Sequence, residues 1–199
     1  DLTHFEGNAN GLKILMESRP GIPGGLRLSY ATLGAFTKYP KASLPHKPSK
    51  HVADKKFGFF QAQQNDYTTV ASDLGLLQSK GTILRHPLAY LVEAADDICY
   101  TLIDFEDGIN LGWISEDYAL EYLINLVKDN INTKKYQTLT TKKDRLGYLR
   151  ALSISTLIQE AAELFMEHEA EIMSGNCTTS LTDKSKYSAQ INDIISLSV

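Results

Sequence analysis

The chain has 199 residues, 43% hydrophobic and 22% charged, a balance that supports a packed core and excludes a disordered or fibrous chain. A formal net charge of −4 gives no field to gather a polyanion over the whole surface, so nucleic acid is confined to the role of a local effector. Two cysteines exclude a disulfide framework, and the absence of an apolar run near the roughly 18 residues that span a bilayer, or of a basic and apolar leader, points to a soluble, cytoplasmic protein with no membrane partner.

The chain opens at Asp1 without a methionine and closes on 194–199 within an apolar pattern, so both ends read as cut and the chain as an excised piece. Phe5, Leu12, Leu15 and Met16 recur at helical intervals and predict a helix between Thr3 and Glu17, weakened by Gly7 and Gly11. After the breaker cluster 19–25, Leu28, Ala31, Leu33, Ala35 and Phe36 predict a second helix that stops at Tyr39-Pro40. The stretch from Pro40 to Lys56, rich in lysine and proline with no acid before Asp54, reads as a long, exposed basic loop. Gly58-Phe59-Phe60 leads into a helix through Leu77, and Lys80-Gly81 marks a turn.

Pro87 suits a first helical turn, and periodicity continues to about Gly108. Ser115, followed by Glu116 and Asp117, caps a helix with Leu120, Leu123, Ile124 and Val127 on its apolar side. The longest helix runs from about Lys142 to Met173 and stops at Gly175; its many apolar residues serve an internal core first and an oligomer contact second. A last amphipathic piece starts near Ser185. With no alternating strand pattern, no repeat and no clear linker, the fold class is all-α.

The helix from Pro87 to Gly108 is the most informative element. At about 100° per residue, Glu93, Asp96, Asp97, Tyr100, Asp104 and Asp107 share one face. The neighbouring arc, Leu88, Val92, Ala95, Cys99, Leu102 and Ile103, reads as the core stripe, with Cys99 a small apolar filler. The acids are not interleaved with Lys or Arg at i+4, and two lie toward the C-terminal end, where the helix dipole disfavours negative charge, so a cation is expected to compensate them. A divalent metal would do so, yet one aspartate is not a site. The five histidines, at 4, 46, 51, 86 and 168, are scattered, and His86, just before Pro87, reads as a helix-opening residue.

The run His86-Pro87-Leu88-Ala89-Tyr90-Leu91-Val92-Glu93-Ala94-Ala95-Asp96-Asp97-Ile98-Cys99-Tyr100, continuing to Asp104-Phe105-Glu106-Asp107-Gly108, resembles the signature helix of the deoxyguanosine triphosphate triphosphohydrolases, a family of the HD-domain superfamily. Phe5-Glu6-Gly7-Asn8-Ala9, Leu28 to Leu33 running into Lys38-Tyr39-Pro40, and Lys56-Phe57-Gly58-Phe59-Phe60 resemble further family segments in the expected order. The resemblance is strong over roughly residues 2–110 and implies an HD-type helical fold. Residues 1–112 would be part of the catalytic domain, its substrate half, and 113–199 a C-terminal helical region of core and oligomer contacts.

The resemblance also implies roles. Asp96 matches the family's distant metal-ligating aspartate, for Mg²⁺ or Mn²⁺. Tyr100 matches a tyrosine that packs on the sugar, and Asp104 an acid that reads its 3′-hydroxyl. Lys38, Tyr39 and Lys56 match residues that hold the triphosphate, and Asn8 a polar residue lining the same site. The implied activity is hydrolysis of dGTP, or another dNTP, to deoxynucleoside and triphosphate by a homo-oligomer. The family's other metal ligands and its catalytic histidine-glutamate pair lie upstream of the FEGNA segment, so this stretch alone is expected to be inactive. Two readings of other classes stand beside it: an inactive nucleotide-binding or assembly module of the same fold, and a helical interaction piece built on the long helix.

Overall fold

Local side-chain chemistry starts half of the ten helices named below. In a computed structural model that describes residues 5–45 and 47–197, α1 (Gly7–Met16) is capped by Glu6, whose carboxylate accepts the Asn8 N–H. α2 (Tyr30–Phe36) is capped by Ser29 and α5 (Glu116–Val127) by Ser115, each accepting an N–H three residues on. α6 (Thr133–Thr138) starts at Asn132 in the same way. α7 (Lys142–Glu167) opens on a reciprocal box in which the Thr141 hydroxyl accepts the Asp144 N–H at 3.0 Å and donates to the Asp144 carboxylate at 2.7 Å. The remaining helices are α3 (Gln64–Asp73), α4 (Ala89–Asn110), α8 (Glu169–Met173), α9 (Leu181–Lys184) and α10 (Ser188–Leu197). Among the described residues there are isolated bridges but no strand, so the chain is all-α, and no helix is long and apolar enough to cross a membrane.

Several boundaries differ from the sequence expectation. The first helix begins at Gly7, Phe5 is exposed, and Thr3, His4 and the terminal Ser198-Val199 lie outside the described residues. α2 stops at Phe36 because the Thr37 hydroxyl takes the Leu33 carbonyl at 2.8 Å and turns the chain before Pro40. α3 ends at Asp73, not Leu77: Gly75 adopts φ 69°, and the N–H groups of Gly75 and Leu76 return to the carbonyls of Ser72 and Ala71. The long helix is interrupted at His168, whose φ of −99° and ψ of 14° leave the helical region. α6 and the separation of α9 from α10 had no periodic signal.

The Pro40 to Lys56 stretch is not simply an exposed loop. Val52 is fully buried within a 3₁₀ turn over Val52–Asp54, its N–H bonded to the Thr178 carbonyl, and Ala42 bridges to Phe59. Lys41 pairs with Asp54, whose carboxyl is pushed up by burial yet held below its usual range by hydrogen bonds from Lys41 and Ser49.

The chain divides into two compact units, one of residues 1–93 with 168–180 and the other of 94–167 with 181–199, the boundary falling after Glu93 within α4. In the first, Leu12, Leu33, Phe59, Tyr67 and Val70 form a buried cluster joining α1, α2 and α3. In the second, α7 packs on α5 and α9 through Leu149, Ser153, Leu157 and Ala161, spaced four apart, which is the internal use expected of that helix.

α4 buries a different stripe from the expected one. Ala94, Ile98, Thr101, Leu102 and Phe105 are inside, while Leu88, Val92, Ala95, Cys99 and Ile103 are exposed. The core face is rotated by roughly a third of a turn. Cys99 is therefore a surface thiol, and Cys177 is the buried one; both are free.

Candidate active site

The acids of α4 sort by partner. Glu93 is buried, and Arg85 Nη1 donates to its Oε2 at 2.7 Å. The guanidinium lies on the Tyr90 ring, 4.5 Å from its centroid, and the Tyr90 hydroxyl donates to the Cys177 carbonyl at 2.6 Å. The cation missing at i+4 thus comes from eight residues upstream. Sequence reasoning passed over Arg85, although it is the only Lys or Arg between Lys80 and Lys128, in a stretch crowded with acids. Asp97 also serves the fold: its carboxylate accepts the Thr182 hydroxyl at 2.7 Å.

Asp96 is half-buried, and Tyr100, 63% exposed, is followed by the exposed Asp104. At i, i+4 and i+8 the three stand in line on one helix face, spanning about 12 Å. A carboxylate, a ring and a second carboxylate in that order suit a polar ring compound lying along the helix. Among the described residues no three His, Cys, Asp or Glu side chains form a metal-binding group. Asp96 fits a metal ion as one carboxylate only, and these residues do not make a metal centre by themselves.

The histidines have structural posts. His51 Nδ1 accepts the Ala53 N–H at 3.1 Å, and His168 Nδ1 lies 3.2 Å from Glu171 Oε2; His4 and His46 are outside the described residues. His86 Nδ1 accepts the Leu88 N–H at 3.2 Å, so it is the helix-opening residue that its place before Pro87 suggested. Burial holds its pKa below the ordinary 6.5. Below that value the unfolded chain takes up a proton that the folded chain refuses. The contribution of His86 is therefore fully present above pH 6.5 and is lost as pH falls through the folded pKa. An NMR titration should give a His86 midpoint below 6.5 and a melting temperature that falls with pH in that window; a midpoint at or above 6.5 contradicts the placement.

In the first unit, the structure brings the segment of Lys38 and Tyr39 beside that of Lys56. The Gly58 N–H bonds to the Lys41 carbonyl at 3.0 Å and the Ser43 N–H to the Phe59 carbonyl at 2.9 Å. A Cβ at Gly58 would stand 2.1 Å from the Tyr39 carbonyl oxygen, so only glycine allows this approach. Tyr39 is buried, Lys38 half-buried and Lys56 exposed. Asn8 lies in α1, its amide donating to the capping Glu6 carboxylate at 2.6 Å. Asn8, Lys38, Tyr39 and Lys56 belong to the first unit, and Asp96, Tyr100 and Asp104 to the second.

No protein-family model matches the chain. Proteins of one class do, the triphosphohydrolases. A deoxyguanosinetriphosphate triphosphohydrolase-like protein of Synechocystis is 38% identical over 98% of this chain and 45% of its own length. One of Pseudomonas aeruginosa is 35% identical over 92% of this chain and 42% of its own. The deoxyguanosinetriphosphate triphosphohydrolase of Yersinia pestis is 26% identical over 98% of this chain and 40% of its own. By this likeness the chain belongs to the deoxyguanosinetriphosphate triphosphohydrolase family, and it spans less than half the length of these relatives.

Proposed function

We propose that the protein hydrolyses dGTP, or a related dNTP, to deoxynucleoside and inorganic triphosphate with the help of Mg²⁺ or Mn²⁺. The observation that carries this reading is the line of Asp96, Tyr100 and Asp104 along α4, in a chain whose relatives bear the name of that reaction. Asp96 contributes one carboxylate to the metal, and the remaining ligands come from the part of the relatives' length that this chain does not cover. Tyr100 packs under the sugar, where a ring leaves neither room nor partner for a 2′-hydroxyl, and Asp104 accepts the 3′-hydroxyl. Lys38, Tyr39 and Lys56 hold the triphosphate, the lysines as flexible point charges, and Asn8 lines the same site. The working form is a cytoplasmic homo-oligomer.

The test is product analysis by ³¹P NMR on the full-length protein with dGTP and Mn²⁺. Inorganic triphosphate is the expected product. Orthophosphate with dGDP rejects the reaction, and calorimetric dGTP binding without turnover favours the inactive module. Asp104→Ala should lower kcat/KM for dGTP by about 10-fold, the value of one lost hydrogen bond to a charged group, and leave turnover of 2′,3′-dideoxy-GTP, which has no 3′-hydroxyl, unchanged; an equal loss on both substrates removes Asp104 from the 3′-hydroxyl.

A further inference from the structure

Arg85 is held on one side only. Its Nη1 is spent on Glu93, and Tyr90 covers one face of the guanidinium. Nε and Nη2 are buried and have no hydrogen-bond partner among the described residues. These two nitrogens form the side-on edge of the guanidinium, whose parallel N–H bonds match two oxygens of a carboxylate or phosphate. A buried fork left unmatched is costly, and partners for buried polar groups are the rule.

Arg85 also lines a cavity of about 490 Å³ in the first unit, between the 40–54 stretch, α3 and the 81–85 segment. Ser49, Thr68 and Thr82 stand on its wall from three separate places, the Thr68 hydroxyl donating to the Gln64 carbonyl at 2.7 Å and Ser49 Oγ accepting the His51 N–H at 3.2 Å. Phe59, Ile83 and Leu84 give the same wall an apolar stretch. The volume is far larger than one phosphate and lies in the range of small-molecule sites. Lys41 is already paired with Asp54 at this wall, so recognition rests on the geometry of the fork and not on surplus charge. None of the lining residues belongs to the set assigned to dGTP above.

We propose that this cavity binds a phosphate-bearing small molecule, with the Nε–Nη2 edge of Arg85 gripping the phosphate and the Phe59, Ile83 and Leu84 wall holding the organic part. The site would take its ligand independently of hydrolysis at α4.

The experiment uses the ¹⁵N-labelled full-length protein and follows the Arg85 Nε–Hε resonance while inorganic phosphate is added, with sodium chloride at matched ionic strength as the reference. A saturable downfield shift with phosphate and none with chloride is expected. Arg85→Lys, which keeps a charge for Glu93 but has no fork, should weaken phosphate binding by about 10-fold or more. Thr82→Val, which leaves the ion pair untouched, should weaken it by less and keeps the test decisive if Arg85→Lys does not fold. The proposal is overturned if phosphate leaves the resonance unmoved, if chloride moves it equally, if Arg85→Lys binds as wild type does, or if the saturable shifts appear at Lys38 and Lys56 instead. The last outcome would leave the dGTP reading standing while removing this one; failure to release triphosphate would do the reverse.

Discussion

Glu93→Ala should lower the unfolding free energy by about 3–5 kcal/mol, the loss measured when one partner of a buried ion pair is removed. The side chains of Arg85 and Glu93 are 2% and 6% exposed. Without Glu93 the guanidinium keeps its charge, because arginine does not deprotonate in proteins, and loses the one hydrogen bond found for it. Glu93→Gln retains an acceptor but not the charge and should cost less. Glu106→Ala serves as the comparison: its pair with Arg150 is about two-fifths exposed on both sides, and its loss should stay within about 1 kcal/mol. Urea unfolding of the three variants checks the order. A Glu93→Ala loss no larger than that of Glu106→Ala would mean that the pair is not buried in solution.

The same pair shows where the sequence was legible and where it was not. The acidic run of α4 and its helical period are written in local order, and so was the deficit of nearby cations. What supplied Glu93 with a partner was a segment outside the helix, and periodicity along one helix contains no information about its neighbours. Asp97 is a similar case, its partner Thr182 lying 85 residues away. The result narrows the acidic face: two of its members hold the fold, while Asp96, Tyr100 and Asp104 keep the roles proposed for them.

The misplaced core stripe has a physical reason too. α4 is apolar over two arcs, one with Val92, Cys99 and Ile103 and one with Ala94, Ile98, Leu102 and Phe105. A hydrophobic pattern cannot choose between two such arcs. The structure buries the arc that combines Phe105 with small residues, Ala94, Thr101 and Gly108, against which a neighbour can pack closely. The start of α5 was legible because the capping Ser115 acts on an N–H only three positions away. Helix ends at Thr37 and Gly75 were read less well, since a hydroxyl turned back on its own helix and a glycine at positive φ are each compatible with continuation until the backbone is seen.

Gly58→Ala joins the fold to the proposed chemistry. The new methyl would meet the Tyr39 carbonyl oxygen at 2.1 Å and the Thr37 Cγ2 at 2.8 Å. The first of these is backbone and has no rotamer by which to move aside, so the two segments must separate. Overpacking of this kind costs about 1–3 kcal/mol, which urea unfolding would register. The separation also displaces Lys38 and Tyr39 from Lys56, and a misplacement of about 1 Å can cost roughly 10²-fold in rate. In the full-length protein, assayed where the variant remains folded, kcat/KM for dGTP should therefore fall by about 10²-fold. Gly25→Ala is the control, for its methyl would stand 2.3 Å from the Leu15 carbonyl oxygen, away from both lysines, and its φ of 62° adds backbone strain, so it should lose at least as much stability. If Gly25→Ala loses at least as much stability and only Gly58→Ala loses dGTP turnover, the juxtaposed segments act on the triphosphate. If turnover falls equally in both, the contact at Gly58 is a matter of packing, and Lys38 and Lys56 lose their claim to the substrate.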